Sequence, residues 1–190
     1  MKLVVGLGNP GSRYAGTRHN IGSMAAQRLA QDSGIALKRQ GHQGVYGVGR
    51  LDEEEVVILL PQTFMNLSGA SVASASKSLG LVAGDLVVFH DDIDLPFGQL
   101  RIKAGGGHGG HNGLRSINQV LGGGDYLRIK IGVGRPPHGG DVAAYVLSPF
   151  SAEERRQLEK VVENAASAVI CLLKYGVQQA MNDFNNRIIS

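Results

Sequence analysis

Two side chains far apart in the chain, His19 and Asp91, have the types that a water-activating acid–base couple needs. A histidine with its ordinary pKa of about 6.5 is mostly neutral at cellular pH, so it can take a proton from water. It then needs a carboxylate to fix its tautomer and stabilise the imidazolium that forms. His19 lies in a polar loop just before a helical pattern, and Asp91 follows a buried-strand pattern, so both can face one cleft. Each taken alone reads more readily as a structural residue, a loop or cap histidine and a turn aspartate. Three asparagines on separate polar loops, Asn9, Asn66 and Asn112, add to the pair. An amide both donates and accepts, so it places a water, a carbonyl oxygen or a peptide group without disturbing the base. Asn9 precedes Pro10, which holds it extended. Turn closure is the competing use of any loop asparagine.

Other chemistries find less support. Residues 6–11, Gly6-Leu7-Gly8-Asn9-Pro10-Gly11, match the dinucleotide motif G-x-G-x-x-G directly after a strand. That motif must open a helix at once, so that the helix start meets the pyrophosphate. Here Pro10 and the polar run Ser12 to Arg18 intervene, and Asp32, at the right distance for the ribose, ends a predicted helix instead of a strand. There is no G-x-x-x-x-G-K-[ST], no G-x-S-x-G and no C-x-x-C. His108 and His111 stand three apart, but in a glycine run with no nearby acid or cysteine to complete a metal set. No metal and no cofactor are therefore expected. The single cysteine, Cys171, excludes an internal disulfide, and its apolar run Val169 to Leu173 marks it as a buried core thiol.

The elements that must position these groups alternate between short β-branched runs and helical patterns. Strands are expected at 3–6, 45–51, 56–60, 86–89, 99–103 and 126–133, with the acidic turn Asp52 to Glu55 joining the second and third. Helices are expected at 21–32, 70–79 and 114–121, then from a Ser151–Glu154 capping box to a stop at Gly176, and last at 177–184. This order implies an α/β fold: a single-domain three-layer α/β/α sandwich around a twisted mixed β-sheet, spanning residues 1–190. Ligands in open α/β sheets bind beyond the carboxyl ends of the strands. Dense polar loops follow three strands, at 9–20, 62–68 and 90–94. If those strands are parallel neighbours, the loops converge on one site.

Charge is distributed unevenly. Residues 1–50 carry seven basic groups against one acid, residues 51–94 one against eight, and residues 95–140 six against one. Two basic stretches in a nearly balanced chain suit a polyanionic partner held locally, though ordinary solvated faces give the same count. The N-terminal run Lys2 to Gly6 is too short for a signal peptide, and nothing approaches the ~20 apolar residues of a membrane span, so the cytoplasm is expected and no membrane partner.

The motifs together resemble those of bacterial peptidyl-tRNA hydrolases. The resemblance rests on Gly6 to Gly11 continuing to Tyr14 and Thr17-Arg18-His19-Asn20-Ile21-Gly22, on Pro61-Gln62-Thr63-Phe64-Met65-Asn66-Leu67-Ser68-Gly69, on His90-Asp91-Asp92-Ile93-Asp94-Leu95-Pro96, and on Gly105 to Gly113. It runs in order and spacing from residue 1 to about residue 185. The resemblance implies that His19 activates water against the ester joining peptide to tRNA ribose, and that Asp91 holds it in its basic form. By the same resemblance Asn9 positions water and substrate and separates blocked from free aminoacyl-tRNA. Asn66 and Asn112 bind the peptide and the tRNA 3′ end, and Tyr14 and Phe64 line the groove. Lys103 and Lys130 match positions that meet the tRNA phosphates. Lys130 stands where several relatives carry arginine, and lysine keeps the charge but loses the bidentate fork. Family members are similar in being monomeric and metal-free, with a lid that falls here at 136–149, where Gly139 and Gly140 read as a hinge or a plain turn.

Overall fold

The structure is a computed structural model that describes residues 1–185 and 187. Strand β1 (Lys2–Gly6) is apolar throughout its centre and pairs in parallel with two neighbours. After it the chain forms α1 (Ile21–Asp32), the short edge strand β2 (Arg39–Gly41), and the hairpin β3 (Gly44–Leu51) and β4 (Glu54–Pro61). Helix α2 (Ser68–Leu79), strands β5 (Leu86–Asp92) and β6 (Leu100–Ala104), helix α3 (Asn112–Leu121) and β7 (Leu127–Gly132) follow. The chain ends in α4 (Val142–Val146), α5 (Ala152–Tyr175) and α6 (Val177–Phe184).

The seven strands make one mixed sheet in the order β2-β3-β4-β1-β5-β7-β6. Neighbours β4, β1, β5 and β7 run parallel, while β3 on one side and β6 on the other are antiparallel. Side chains alternate between faces along each strand, and two separate cores result. Val4, Ile58, Val87, Phe89 and Ile129 pack under α1, α5 and α6. Leu3, Val5, Val57, Leu59 and Val88 pack under α2 and α3. The expected arrangement of helices on both faces of a mixed sheet is thus what the chain forms.

Three details depart from the expected elements. Strand β5 continues through His90 and Asp91, which were expected to be loop, because both pair with β7 opposite Lys130 and Ile131. The hairpin turn is tighter than the four acidic residues suggest: β4 already begins at Glu54, and Asp52 takes φ +54°. Cys171 is half-buried instead of a core thiol, since it lies to one side of the stripe Ala165, Val169 and Leu172 that meets the sheet. Its Sγ sits 3.8 Å from Asp183 Oδ2, and burial together with that charge raises the thiol pKa.

Candidate active site

The carboxyl ends of β4, β1 and β5 lie side by side, so the three polar loops do meet. The first loop is brought close by one glycine. A Cβ on Gly22, at the start of α1, would lie 2.4 Å from the Phe89 carbonyl oxygen, so only glycine lets this turn press onto the end of β5. His19, one turn earlier, thereby faces Asp91. His19 Nδ1 lies 2.7 Å from Asp91 Oδ2. The neighbouring Arg18 is buried and ties this turn to the later chain, with its guanidinium 2.6 Å from Glu154 Oε1 and 3.9 Å above the Tyr145 ring.

Asp91 is 3% exposed, and its other oxygen is also taken: His111 Nε2 approaches Oδ1 at 2.7 Å. The expectation that the glycine-loop histidines have no nearby acid is therefore overturned for His111. The acid comes from a strand twenty residues earlier, which only the fold brings alongside. Burial disfavours the charged imidazole of His19, yet the Asp91 charge and hydrogen bond outweigh burial and raise its pKa above the usual 6.5. Burial pushes the Asp91 carboxyl upward, but His19 and His111 hold it well below the usual carboxylate range. His90, on the same strand, is pushed down to about 3 by burial and by the charges of His111 and Lys130. Its Nδ1 donates to the Asp91 carbonyl at 2.8 Å, and its buried Nε2 has no partner among the described residues.

Asn9 is held on three sides. Its backbone N–H donates to Asn20 Oδ1 and its carbonyl accepts from Asn20 Nδ2, both at 2.9 Å. Its side-chain Oδ1 accepts the Met65 N–H at 2.7 Å. The amide NH₂ of Asn9 is left as a donor, on a residue that lines the same groove as His19.

A groove of about 710 Å³ joins these groups. Asn9, Tyr14, His19, Phe64, Asn66, Asp91, Asn112 and Lys130 all line it, so eight of the nine residues singled out in the sequence converge. Lys103 does not line it. It is exposed on the edge strand β6, opposite Arg128 of β7. Lys130 carries an ion pair with Asp92 at 3.6 Å. The segment at 136–149 reaches the groove through Val142, Ala143, Val146 and Leu147. Within it Gly139 takes φ +70°, whereas Gly140 is extended at φ −63°.

His111, bonded to Asp91, and Asn20, bonded to Asn9, were not singled out in the sequence as site residues. A signal existed for each: a polar residue directly before an amphipathic helix is a cap or an anchor. His19, Asp91 and His111 offer ligand atoms within 4.8 Å of one another, close enough to consider a cation. Both carboxylate oxygens are already engaged, and His111 Nδ1 accepts from the Gly113 and Leu114 N–H groups. A metal would have to displace that network, so the donor set fits a hydrogen-bonded relay better than a metal site.

Fold and site together define a class: an α/β protein whose histidine–carboxylate couple opens into a groove at the ends of parallel strands. The comparisons narrow it. The family model described as peptidyl-tRNA hydrolase matches residues 3–190. The peptidyl-tRNA hydrolase of Syntrophotalea carbinolica is 61% identical, covering 99% of this chain and 98% of that protein. The one from Citrifermentans bemidjiense is 51% identical, covering 98% of each. Among solved structures, peptidyl-tRNA hydrolase from Acinetobacter baumannii superposes with a TM-score of 0.91 at 39% identity, covering 98% of this chain and 97% of that one. A peptidyl-tRNA hydrolase in complex with N-propanol reaches 0.93 at 40% identity, covering 100% and 97%. The chain belongs to the peptidyl-tRNA hydrolase family.

Proposed function

We propose that this chain hydrolyses the ester bond between a peptide, or an N-blocked amino acid, and the 3′-terminal ribose of tRNA, with His19 as general base. The observation that carries the mechanism is the 2.7 Å contact of His19 Nδ1 with Asp91 Oδ2 at the wall of the groove. With the Nδ1 proton donated to Asp91, Nε2 is the basic nitrogen of His19. It takes a proton from water as the water oxygen attacks the ester carbonyl. The tetrahedral intermediate collapses, the ribose oxygen leaves with the proton that His19 returns, and the products are free tRNA and a peptide carboxyl. Asn9, its Oδ1 tied to Met65 N–H, turns its NH₂ donor to the water or the carbonyl oxygen.

The groove divides the remaining roles. Tyr14, Phe64 and Asn66, which line it, suit the peptide and terminal nucleotide, and Asn112 with Lys130 suits the 3′ end. Beyond it, on the sheet face away from α5 and α6, Arg101 and Lys103 stand directly opposite Lys130 and Arg128. Lys103, exposed on the edge strand β6, offers its charge to a phosphate backbone. Such contacts read no sequence, which suits an enzyme accepting many tRNAs. In this reading the enzyme works in the cytoplasm as a monomer, without metal or other cofactor, and the segment over the groove is its lid.

The test is hydrolysis of N-blocked aminoacyl-tRNA by the wild type and by His19→Ala, each in excess chelator. We expect turnover by the wild type and its loss in the variant. Binding without turnover in either form would leave an RNA-binding module, and loss of wild-type activity in chelator would overturn the metal-free mechanism.

A further inference from the structure

His111 has a second hydrogen bond that the proposed mechanism does not use. Its ring caps α3: Nδ1 accepts the N–H groups of Gly113 at 3.1 Å and Leu114 at 3.3 Å. A ring nitrogen that accepts carries no proton, so the ring's one proton sits on Nε2, 2.7 Å from Asp91 Oδ1. Placing a proton on Nδ1 would set it against two backbone donors at the positive end of a helix. The helix start therefore fixes which nitrogen of His111 faces the carboxylate and what that nitrogen does.

We propose that His111 is a positioning residue for hydrolysis, a single-proton donor locked by the α3 N-terminus that occupies half of Asp91 and so sets how strongly Asp91 acts on His19. This role rests on the reading of His19 as the base. With Oδ1 occupied, the plane of the buried carboxylate is fixed and Oδ2 points at His19. The donated proton also draws charge away from Oδ2, which limits the rise in His19 basicity. The groups that face this relay are His90, its ring 5.2 Å from that of His111, with Asp91 and Asp92 on β5, Lys130 on β7, and His19, its ring 5.1 Å away. The neighbouring His108 is turned to its own loop, accepting the Gly110 N–H.

Two variants separate this role from helix capping. His111→Ser keeps an acceptor for the start of α3 but cannot reach Asp91. His111→Gln keeps a donor where Nε2 stands but weakens the cap. For His111→Ser we expect kcat to fall about tenfold, with KM for peptidyl-tRNA within about twofold. The acidic limb of the kcat/KM profile should move to higher pH, because an unshared Asp91 pulls harder on the His19 proton. His111→Gln should recover most of kcat and the wild-type limb while melting at a lower temperature. A cap alone predicts the reverse order, an active serine variant and an impaired glutamine one, and that result would overturn the proposal. An NMR titration of the His19 ring in the same proteins needs no turnover. An upward shift in the serine variant supports the proposal even if His19 proves not to be the base, and an unmoved His19 titration sinks it even if His19 does.

Discussion

Asp91 and Arg128 are both buried charges, 3% and 0% exposed, and the fold treats them in opposite ways. Asp91 is met by two imidazoles from other loops, one on each carboxylate oxygen at 2.7 Å. Arg128 meets no carboxylate among the described residues. Its guanidinium donates to the carbonyl oxygens of Gly106, Gly107 and Gly124, and it stacks 4.6 Å from the Tyr126 ring. Backbone carbonyls do not titrate, so this charge pins the glycine loop and takes no part in proton traffic. The same loop then delivers His111 and Asn112 to the groove. In the proposed mechanism one buried charge supports proton transfer, and the other holds the loop still.

The sharpest way to break this contrast is to neutralise each charge. Asp91→Asn should cost about 10³-fold in kcat, roughly 4 kcal/mol of barrier, because the imidazolium loses its counter-charge. The wild type should gain activity with pH through a limb above 6.5, since His19 is raised and only its neutral form acts. In Asp91→Asn that limb should move down, because burial, which lowers the His19 pKa, is left with its main opponent removed. Arg128→Met should do the converse, destabilising the fold by about 3 kcal/mol as three carbonyls lose their donor, read by denaturant titration. A folded Arg128→Met protein with chemistry as weak as Asp91→Asn on a minimal ester would erase the distinction.

A smaller effect sharpens it at His90. Its pKa near 3 means the folded chain refuses a proton that the unfolded chain takes below about 6.5, so stability falls as pH falls. Between pH 6.5 and 5 the loss should be about 2 kcal/mol. His19 adds little slope there, because its raised pKa leaves it charged in the native state as well. His90→Asn should flatten the curve, and an unchanged slope would locate the proton elsewhere. The smallest effect belongs to the exposed face. Lys103→Ala should weaken tRNA binding by about 1 kcal/mol and reduce the salt slope by about one. Hydrolysis of a minimal ester should stay near wild type, and equal losses on both substrates would remove Lys103 from the phosphate face.

Much of this was legible in the residues. Hydrophobic alternation and the punctuating glycines place the main strands and helices, and α1, α5 and α6 begin and end where caps and periodicity put them. What failed were features set by neighbours. His90 and Asp91 read as loop because they are polar, and became strand because β7 supplied a ladder. The edge strand β2, two polar residues and a glycine, has no signal of its own. Cys171 looked buried from an apolar run, but a helix presents only one side of such a run to the sheet.

The sequence alone determined the chemical groups and the loops that carry them, since those depend on residue type and local backbone preference. It also supplied the imidazole and the carboxylate on which the proposed reaction rests. Tertiary structure alone decided that Asp91 serves two histidines, 72 and 20 residues away, and that an arginine inside the sheet braces the loop of the second. A hydrogen bond between residues so distant exists only once the strand order β4-β1-β5-β7 brings their loops to one end of the sheet. Strand order is a property of the whole chain's packing, which no single stretch of it encodes.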